Sequence, residues 1–406
     1  MVLPSQAPAT ALVLRTMLAH GPLTRAEVGR RTGLSSGAVT KAAAPLLDDG
    51  WIVELGRPAG DHLTGRPATL VAVRAERASF LGVKVTADEA IGVLTDLTAT
   101  PIATRRVGLD SRDVDSVVAA IARLVRRLAG APPISSLVDH GGGLDRVNQA
   151  VDNTRPASVH GLGVTISGDV DQQTGTVHHS PFLDWHGIPL ARMVESATGI
   201  PTLIENDVRA LAVAEQWFGA GAGLSSFALV TVGTGIGCAI SIGGRVVSGA
   251  HGVAGEVGHL PLGGLDRMCT CGNRGCVEAV ASTQAIVEQA RQARSDPELT
   301  MAQTVRLAHD GDPAVRAVFT RAGHAVGLAM ASVANLIGPE RIIISGEGVA
   351  AYDLFADQIR QTFTARAFGA AKDCELIVRP LPFEEWARGG AAVAAQTLVT
   401  PLRKSR

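Results

Sequence analysis

The sequence predicts an α/β protein, with an N-terminal winged helix-turn-helix followed by two lobes. Three observations carry this. Residues 1–75 carry helical patterns, then two strand-like runs around a segment rich in glycine and proline. From about residue 77, strand-like runs alternate with helical ones through two successive halves. A glycine-rich stretch in the later half holds three of the five cysteines, Cys269, Cys271 and Cys276, spaced C-x-C-x4-C.

In the head, residues 11–19 have helical apolar spacing. Thr24-Arg25-Ala26-Glu27 has the form of a capping box, in which the threonine hydroxyl serves an orphan N–H and the glutamate reaches back. Gly33 makes the turn, and Ser35 caps a helix that carries Val39, Leu46 and Leu47 inward. Ser36, Gly37, Thr40 and Lys41 then face outward near its N-terminal end, where a recognition helix meets base edges. Strands are expected from residue 50 and over 69–73, with a wing between them. In Gly65-Arg66-Pro67 the proline holds Arg66 extended, as a minor-groove contact requires. A solvated turn arginine is the alternative. Residues 1–75 hold eight basic and five acidic residues, although the whole chain has net charge −1. A nucleic-acid contact must therefore come from this local patch.

Further on, strands are expected at 79–85, 90–96, 159–166, 202–205, 227–232, 239–242, 341–345 and 375–378. Helices are expected at 114–128, 188–198, 208–218 and 389–398. Residues 168–170 are read as a turn, and 131–158 as a long loop or insertion. The chain has 406 residues, 46% hydrophobic and 18% charged, which suits large cores and argues against disorder. The start has no basic n-region and no apolar run approaches about 20 residues. A cytoplasmic protein without a membrane partner is expected.

His259 precedes Cys269 by ten residues. One imidazole and three thiolates form a closed tetrahedral set of the kind that holds structural zinc. Unlinked thiols are the alternative. Cys238 and Cys374 are read as buried free thiols. Glu256 and Glu278 flank the ligands and suggest a polar pocket beside the metal loop. Carboxylates, an asparagine amide and an imidazole suit the hydroxyl pairs of a pyranose. Asp207, after Asn206, also suits a plain helix cap.

Residues 269–278, Cys-Thr-Cys-Gly-Asn-Arg-Gly-Cys-Val-Glu, resemble the C-x-C-G-x-x-G-C-x-E motif of the ROK family of repressors, open reading frames and sugar kinases. Glu256-x-x-His259 and Glu205-Asn206-Asp207 fit the same family, and the resemblance covers nearly the whole chain. It implies an actin-like, two-lobed sugar-kinase fold over residues 76–406, with its zinc loop at 256–278. The family's repressor branch adds a winged helix, here residues 1–75. The resemblance implies zinc on His259, Cys269, Cys271 and Cys276. It implies sugar contacts from Gly168, Asn206, Asp207, Glu256, His259 and Glu278, with Asp207 at the position of the kinase general base.

The family's kinases wrap ATP phosphates with D-x-G-G-T-K. Here Lys84 stands at the aspartate position, and Thr86 and Ala87 replace the paired glycines. Their Cβ atoms sit where backbone must approach phosphate. Gly233-Thr234-Gly235-Ile236-Gly237 could offer N–H groups to phosphate, or be a plain hairpin. Ser345-Gly346-Glu347-Gly348 also departs from the adenosine-side motif. The expectation is a sugar-responsive DNA-binding regulator that has lost kinase activity. It would be a repressor of carbohydrate genes, bound to operator DNA as a homodimer or homotetramer and released by a sugar effector between the lobes. An activator remains open, and an active sugar kinase with a DNA-binding head is the alternative.

Overall fold

The computed structural model describes residues 7–55, 69–130, 159–264 and 266–399. The head contains α1 (Pro8–His20), β1 (Leu23–Thr24), α2 (Arg25–Thr32), α3 (Ser36–Asp48), β2 (Ile52–Leu55) and β3 (Leu70–Val73). Its strands form an antiparallel sheet in the order β1-β3-β2. The Thr24 hydroxyl accepts from Glu27 N at 3.1 Å, but the Glu27 carboxylate pairs with Arg30 and Arg31. Two guanidiniums one turn on attract it more than a backbone N–H does, so the threonine half of the expected capping box is the half that forms. Ser35 caps α3 by accepting from Ala38 N at 3.3 Å. The wing and Arg66 lie outside the described residues.

Next come β4 (Ser79–Val85), β5 (Glu89–Asp96), β6 (Pro101–Gly108), α4 (Val114–Ala129), β7 (Val159–Ile166), β8 (Asp169–Asp171), β9 (Thr176–Ser180), β10 (Trp185–Ile188), α5 (Leu190–Thr198), β11 (Thr202–Asn206) and α6 (Asp207–Phe218). A five-stranded sheet runs β11-β7-β4-β5-β6, and β8, β9 and β10 form a separate three-stranded sheet. Three expectations change here. Asp169–Asp171 is a strand rather than a turn, because Val170 and Val177 pair across β8 and β9 and are both buried. Trp185–Ile188 is also a strand, so the helix expected from 188 starts at Leu190. β6 was not anticipated. It lies at the sheet edge with Arg105 and Arg106 exposed, which breaks the apolar signal of a strand.

The remaining elements are β12 (Ser226–Val232), β13 (Ile236–Ile242), β14 (Arg245–Val246), α7 (Glu278–Ala281), α8 (Thr283–Arg294), α9 (Met301–His309), α10 (Pro313–Ile337), β15 (Arg341–Ser345), α11 (Ala356–Arg366), β16 (Glu375–Val378) and α12 (Glu384–Gln396). The second five-stranded sheet runs β14-β13-β12-β15-β16. Ile342, Ile343 and Ile344 are fully buried on it, as a central parallel strand requires. α10 is long and apolar enough to cross a membrane, contrary to the expectation from run length. Phe319, Ala325, Val326 and Met330 are buried in the core of the second unit instead.

The chain divides into two compact units, with breaks at Gly223/Leu224 and Phe383/Glu384. The head belongs to the first. Val13, Leu14, Leu46 and Trp51 share one hydrophobic core with Phe80, Leu97, Trp217 and Ala394.

Candidate effector site and metal centre

In the first unit the candidate residues gather where β7, β8 and β11 meet the start of α6. Asn206 caps α6, its Oδ1 accepting from Val208 N at 3.0 Å and Arg209 N at 3.2 Å. Its Nδ2 donates to Gly168 O at 3.0 Å. Gly168 has φ +123°, and a Cβ there would fall 2.2 Å from His179 O, so the position admits glycine alone. Three candidates, Gly168, Asn206 and Asp207, are thus brought together.

Asp207 is only 7% exposed. Its carboxylate is ion-paired with Lys84, itself 4% exposed, and accepts from Ser167 Oγ at 2.6 Å and from Val208 N at 2.8 Å. Lys84 Nζ also donates to Ser167 Oγ at 3.1 Å and lies 5.7 Å from the Trp386 ring centre. Burial pushes the Asp207 carboxyl up, but the Lys84 charge and hydrogen bonds from Lys84, Ser167 and Val208 outweigh it and hold the group below its ordinary value. A second buried pair stands beside it. Arg209 bonds Glu205 at 2.6 Å and donates to Val170 O at 3.1 Å, fastening β8 to α6. Burial raises the Glu205 carboxyl in spite of Arg209.

The second unit holds Glu256, His259 and Glu278. His259 ends a short 3₁₀ turn, Val257–His259. Its Nδ1 lies 3.6 Å from Cys269 Sγ, and its Nε2 lies 4.0 Å from Glu256 Oε2. Cys271 Sγ and Cys276 Sγ are 3.8 Å apart. The ligand atoms of His259, Cys269, Cys271 and Cys276 all lie within 4.8 Å of one another, so this set can hold one metal ion. Three soft sulfur donors and one imidazole suit a closed tetrahedral site. Glu278 ties the loop to the β12–β13 hairpin, with Oε2 accepting from Ile236 N at 3.1 Å. Cys238 is buried, and its thiol is pushed up to about 12, chiefly by burial. Cys374 is half-buried rather than buried, because it immediately precedes the exposed start of β16.

The Ser36, Gly37, Thr40 and Lys41 positions are all exposed on α3, while Val39, Ala42 and Leu46 are buried. Leu47, expected inward, is half-buried, because it falls at the flank of the buried stripe.

Comparison with known proteins agrees with this geometry. Residues 142–397 match the ROK family, and residues 7–62 match the MarR family. The chain belongs to the ROK family. It is 28% identical over 371 residues to a putative xylose repressor of Caldicellulosiruptor sp. (strain Rt8B.4), covering 88% of this chain and 87% of that protein. A crystal structure of a ROK family transcriptional regulator, a homolog of the E. coli MLC protein, superposes with TM-score 0.76 at 25% identity, covering 97% of this chain and 96% of the other. A ROK family glucokinase from Streptomyces griseus, solved with glucose and AMPPNP, superposes with TM-score 0.63 at 26% identity, covering 79% and 100%.

Against the ROK pattern, sequence reasoning identified the substitution at Lys84 but not what it does. It predicted a missing phosphate contact, and the lysine instead reaches Asp207 across 123 positions of sequence. Ser167 and Arg209 were also missed. Arg209 lies four residues after Glu205, but Glu205 lies in β11 and Arg209 in α6, so helical spacing does not signal the pair. Ser167 carries no signal either.

Proposed function

We propose that the chain is a sugar-responsive DNA-binding repressor, with its operator-reading head at residues 1–75 and its effector domain at 76–406. The observation that carries this reading is the exposed α3 face on a head that shares its core with the unit holding Asn206 and Asp207. The residues assigned to the sugar effector are Gly168, Asn206 and Asp207 in the first unit, and Glu256, His259 and Glu278 are the polar candidates of the second, each set taken by itself. Zinc on His259, Cys269, Cys271 and Cys276 holds the second set in place. The protein works as a homodimer or homotetramer, because two heads read two half-sites of a pseudo-palindromic operator. Arg66 joins the interface from the wing.

Lys84 supports loss of kinase chemistry. A general base needs a proton affinity matched to the working pH. Asp207 is held below its ordinary value, and its Oδ2 is already engaged by Lys84 and Ser167. A hydroxyl that reaches Asp207 shares it with Lys84. The alternative, a kinase carrying a DNA-binding head, rests on the glucokinase likeness and predicts ATP-dependent phosphorylation of a sugar. A panel of sugars assayed for ATP turnover and for thermal shift separates the two. A regulator gains about 2.7 kcal/mol from its effector at 100-fold excess over Kd and turns over no ATP.

Two further results are expected. Lys41→Ala weakens operator binding and lowers the slope of log affinity against log salt by about 1, the signature of one lost phosphate neighbour. An unchanged slope removes Lys41 from the interface. The second concerns α6, which starts at Asp207 after the Asn206 cap and carries in its last turn Trp217, 5% exposed in the head's core. Its 12 residues span about 18 Å. Trp217→Leu keeps an apolar side chain there but loosens the joint. It leaves operator affinity without sugar within about two-fold and shrinks the sugar-induced drop, which typical coupling of 1–3 kcal/mol sets at about 5–150-fold. Operator titrations with and without sugar measure both. A full sugar response in the variant excludes α6 as the link.

A further inference from the structure

The turn between β12 and β13 is a glycine hairpin, Gly233-Thr234-Gly235, that presents backbone N–H groups and a hydroxyl in the manner of a phosphate cradle. Its donors are already engaged. Thr234 N donates to Glu347 Oε1 at 2.6 Å, and Thr234 Oγ1 donates to the same oxygen at 2.9 Å. On the far side Ile236 N donates to Glu278. A Cβ on Gly233 would fall 2.2 Å from the Glu347 carboxyl carbon, so the carboxylate lies directly against the loop backbone.

The chain after β15 is shaped to hold it there. Gly346 has φ +99°, and a Cβ on it would fall 2.4 Å from Val232 O. A Cβ on Gly348 would fall 2.8 Å from the same oxygen. The two glycines let this segment press on the end of β12, and Glu347 between them is delivered to Thr234.

We infer that Glu347 is a built-in anion that fills the phosphate seat of the second unit, closing it to phosphate and polyphosphate groups. A carboxylate oxygen and a phosphate oxygen ask for the same donors, and charge-assisted bonds of this length are strong ones. Any phosphate entering must displace Glu347 and approach Glu278, so it meets like charge on both sides of the hairpin. This goes beyond the sugar-response reading and stands without it, because the contact between Glu347 and Thr234 involves no residue assigned to sugar or DNA.

The test uses the full chain, uniformly deuterated with 15N-threonine. The Thr234 amide resonance is assigned by its loss in Thr234→Ser. Pyrophosphate is titrated in, with sodium chloride at matched ionic strength as the control. In the parent protein the resonance does not move. In Glu347→Ala it shifts on loss of the carboxylate, then titrates saturably with pyrophosphate. Glu347→Gln keeps the shape and removes the charge, and it takes pyrophosphate with affinity between the two. Glu347 is exposed, so neither substitution threatens the fold. A Thr234 response in Glu347→Ala no larger than in the parent overturns the inference, as does a saturable response in the parent.

Discussion

Lys84→Met lowers the stability of the first unit by about 3–5 kcal/mol at neutral pH, the usual cost of breaking one side of a buried ion pair. Methionine nearly matches the length of lysine, so little of this loss comes from a cavity. It comes from Asp207, left 7% exposed with Ser167 Oγ and Val208 N as its remaining donors. All four tryptophans of the chain, Trp51, Trp185, Trp217 and Trp386, lie in this unit, so their fluorescence reports its unfolding. The pH dependence gives a second readout. In the parent the Asp207 carboxyl is held low, so its contribution is present above the unfolded value of about 3.9 and is lost as pH falls through the folded value. Without Lys84, burial dominates and raises the carboxyl, so the sign reverses. The variant then loses stability as pH rises above the unfolded value, and its deficit is smaller at pH 5 than at pH 8. Asp207→Asn strands the lysine in the same way. The double variant Lys84→Met/Asp207→Asn recovers part of the loss, and the cycle isolates the pair energy. Additive losses with no pH dependence would show that Lys84 and Asp207 are not paired.

Much of the fold was legible because its strands and helices announce themselves locally. The buried runs at β4, β12 and β15 read as strands from apolar continuity, and α2 and α3 from Thr24, Gly33 and Ser35. The grouping of the candidate metal residues was legible because Cys269, Cys271 and Cys276 fall within eight residues. What escaped depends on contacts distant in sequence or on weak patterning. β9 carries His178 and His179 exposed, and β10 is four residues long, so neither shows strand periodicity. Asn206 and Asp207 drew notice as polar residues before a helix. Asn206 takes the capping bonds and Asp207 the ion pair, a division that depends on Lys84 and Gly168. In the sequence Glu347 reads only as a departure from a motif, because its partner, Thr234, lies 113 positions earlier.

Removing the metal is expected to release the loop at 259–276 while the rest of the second unit holds. Regular secondary structure contributes little to this loop, whose turns rest on backbone bonds such as Gly263 N to Gly275 O and Cys269 N to Asn273 O, both 2.8 Å. Among the described residues it contains one 3₁₀ residue, His259, and one isolated bridge, Met268 to Arg274. Its end is anchored independently, since Cys276, Val277 and Val280 are fully buried in the unit's core. A metal held by these four residues would therefore staple a loop to a core that is buried without it. The full apparent binding energy of about 10–16 kcal/mol seen where zinc folds a whole peptide is an upper limit here. The measurement is a thiol count on folded protein. Bound metal protects Cys269, Cys271 and Cys276, while Cys238 stays unreactive because it is 6% exposed and its thiol is pushed up to about 12. A chelator strong enough to strip zinc exposes two additional reactive thiols per chain, Cys271 and, as the loop releases, Cys269, while Cys276 stays fully buried. Cys271→Ser purifies without zinc and shows one, Cys269, because Cys276 stays buried. The sugar set follows, because Glu278 is two residues beyond Cys276 and reaches Ile236, and Glu256 is three residues before His259. Sugar binding weakens by about 10–100-fold, the usual consequence of losing groups that orient a site, and tryptophan emission of the first unit is unchanged. A thiol count that does not change on chelation, in protein that contains no zinc, would show that the four residues hold no metal and that the loop is kept by its own packing.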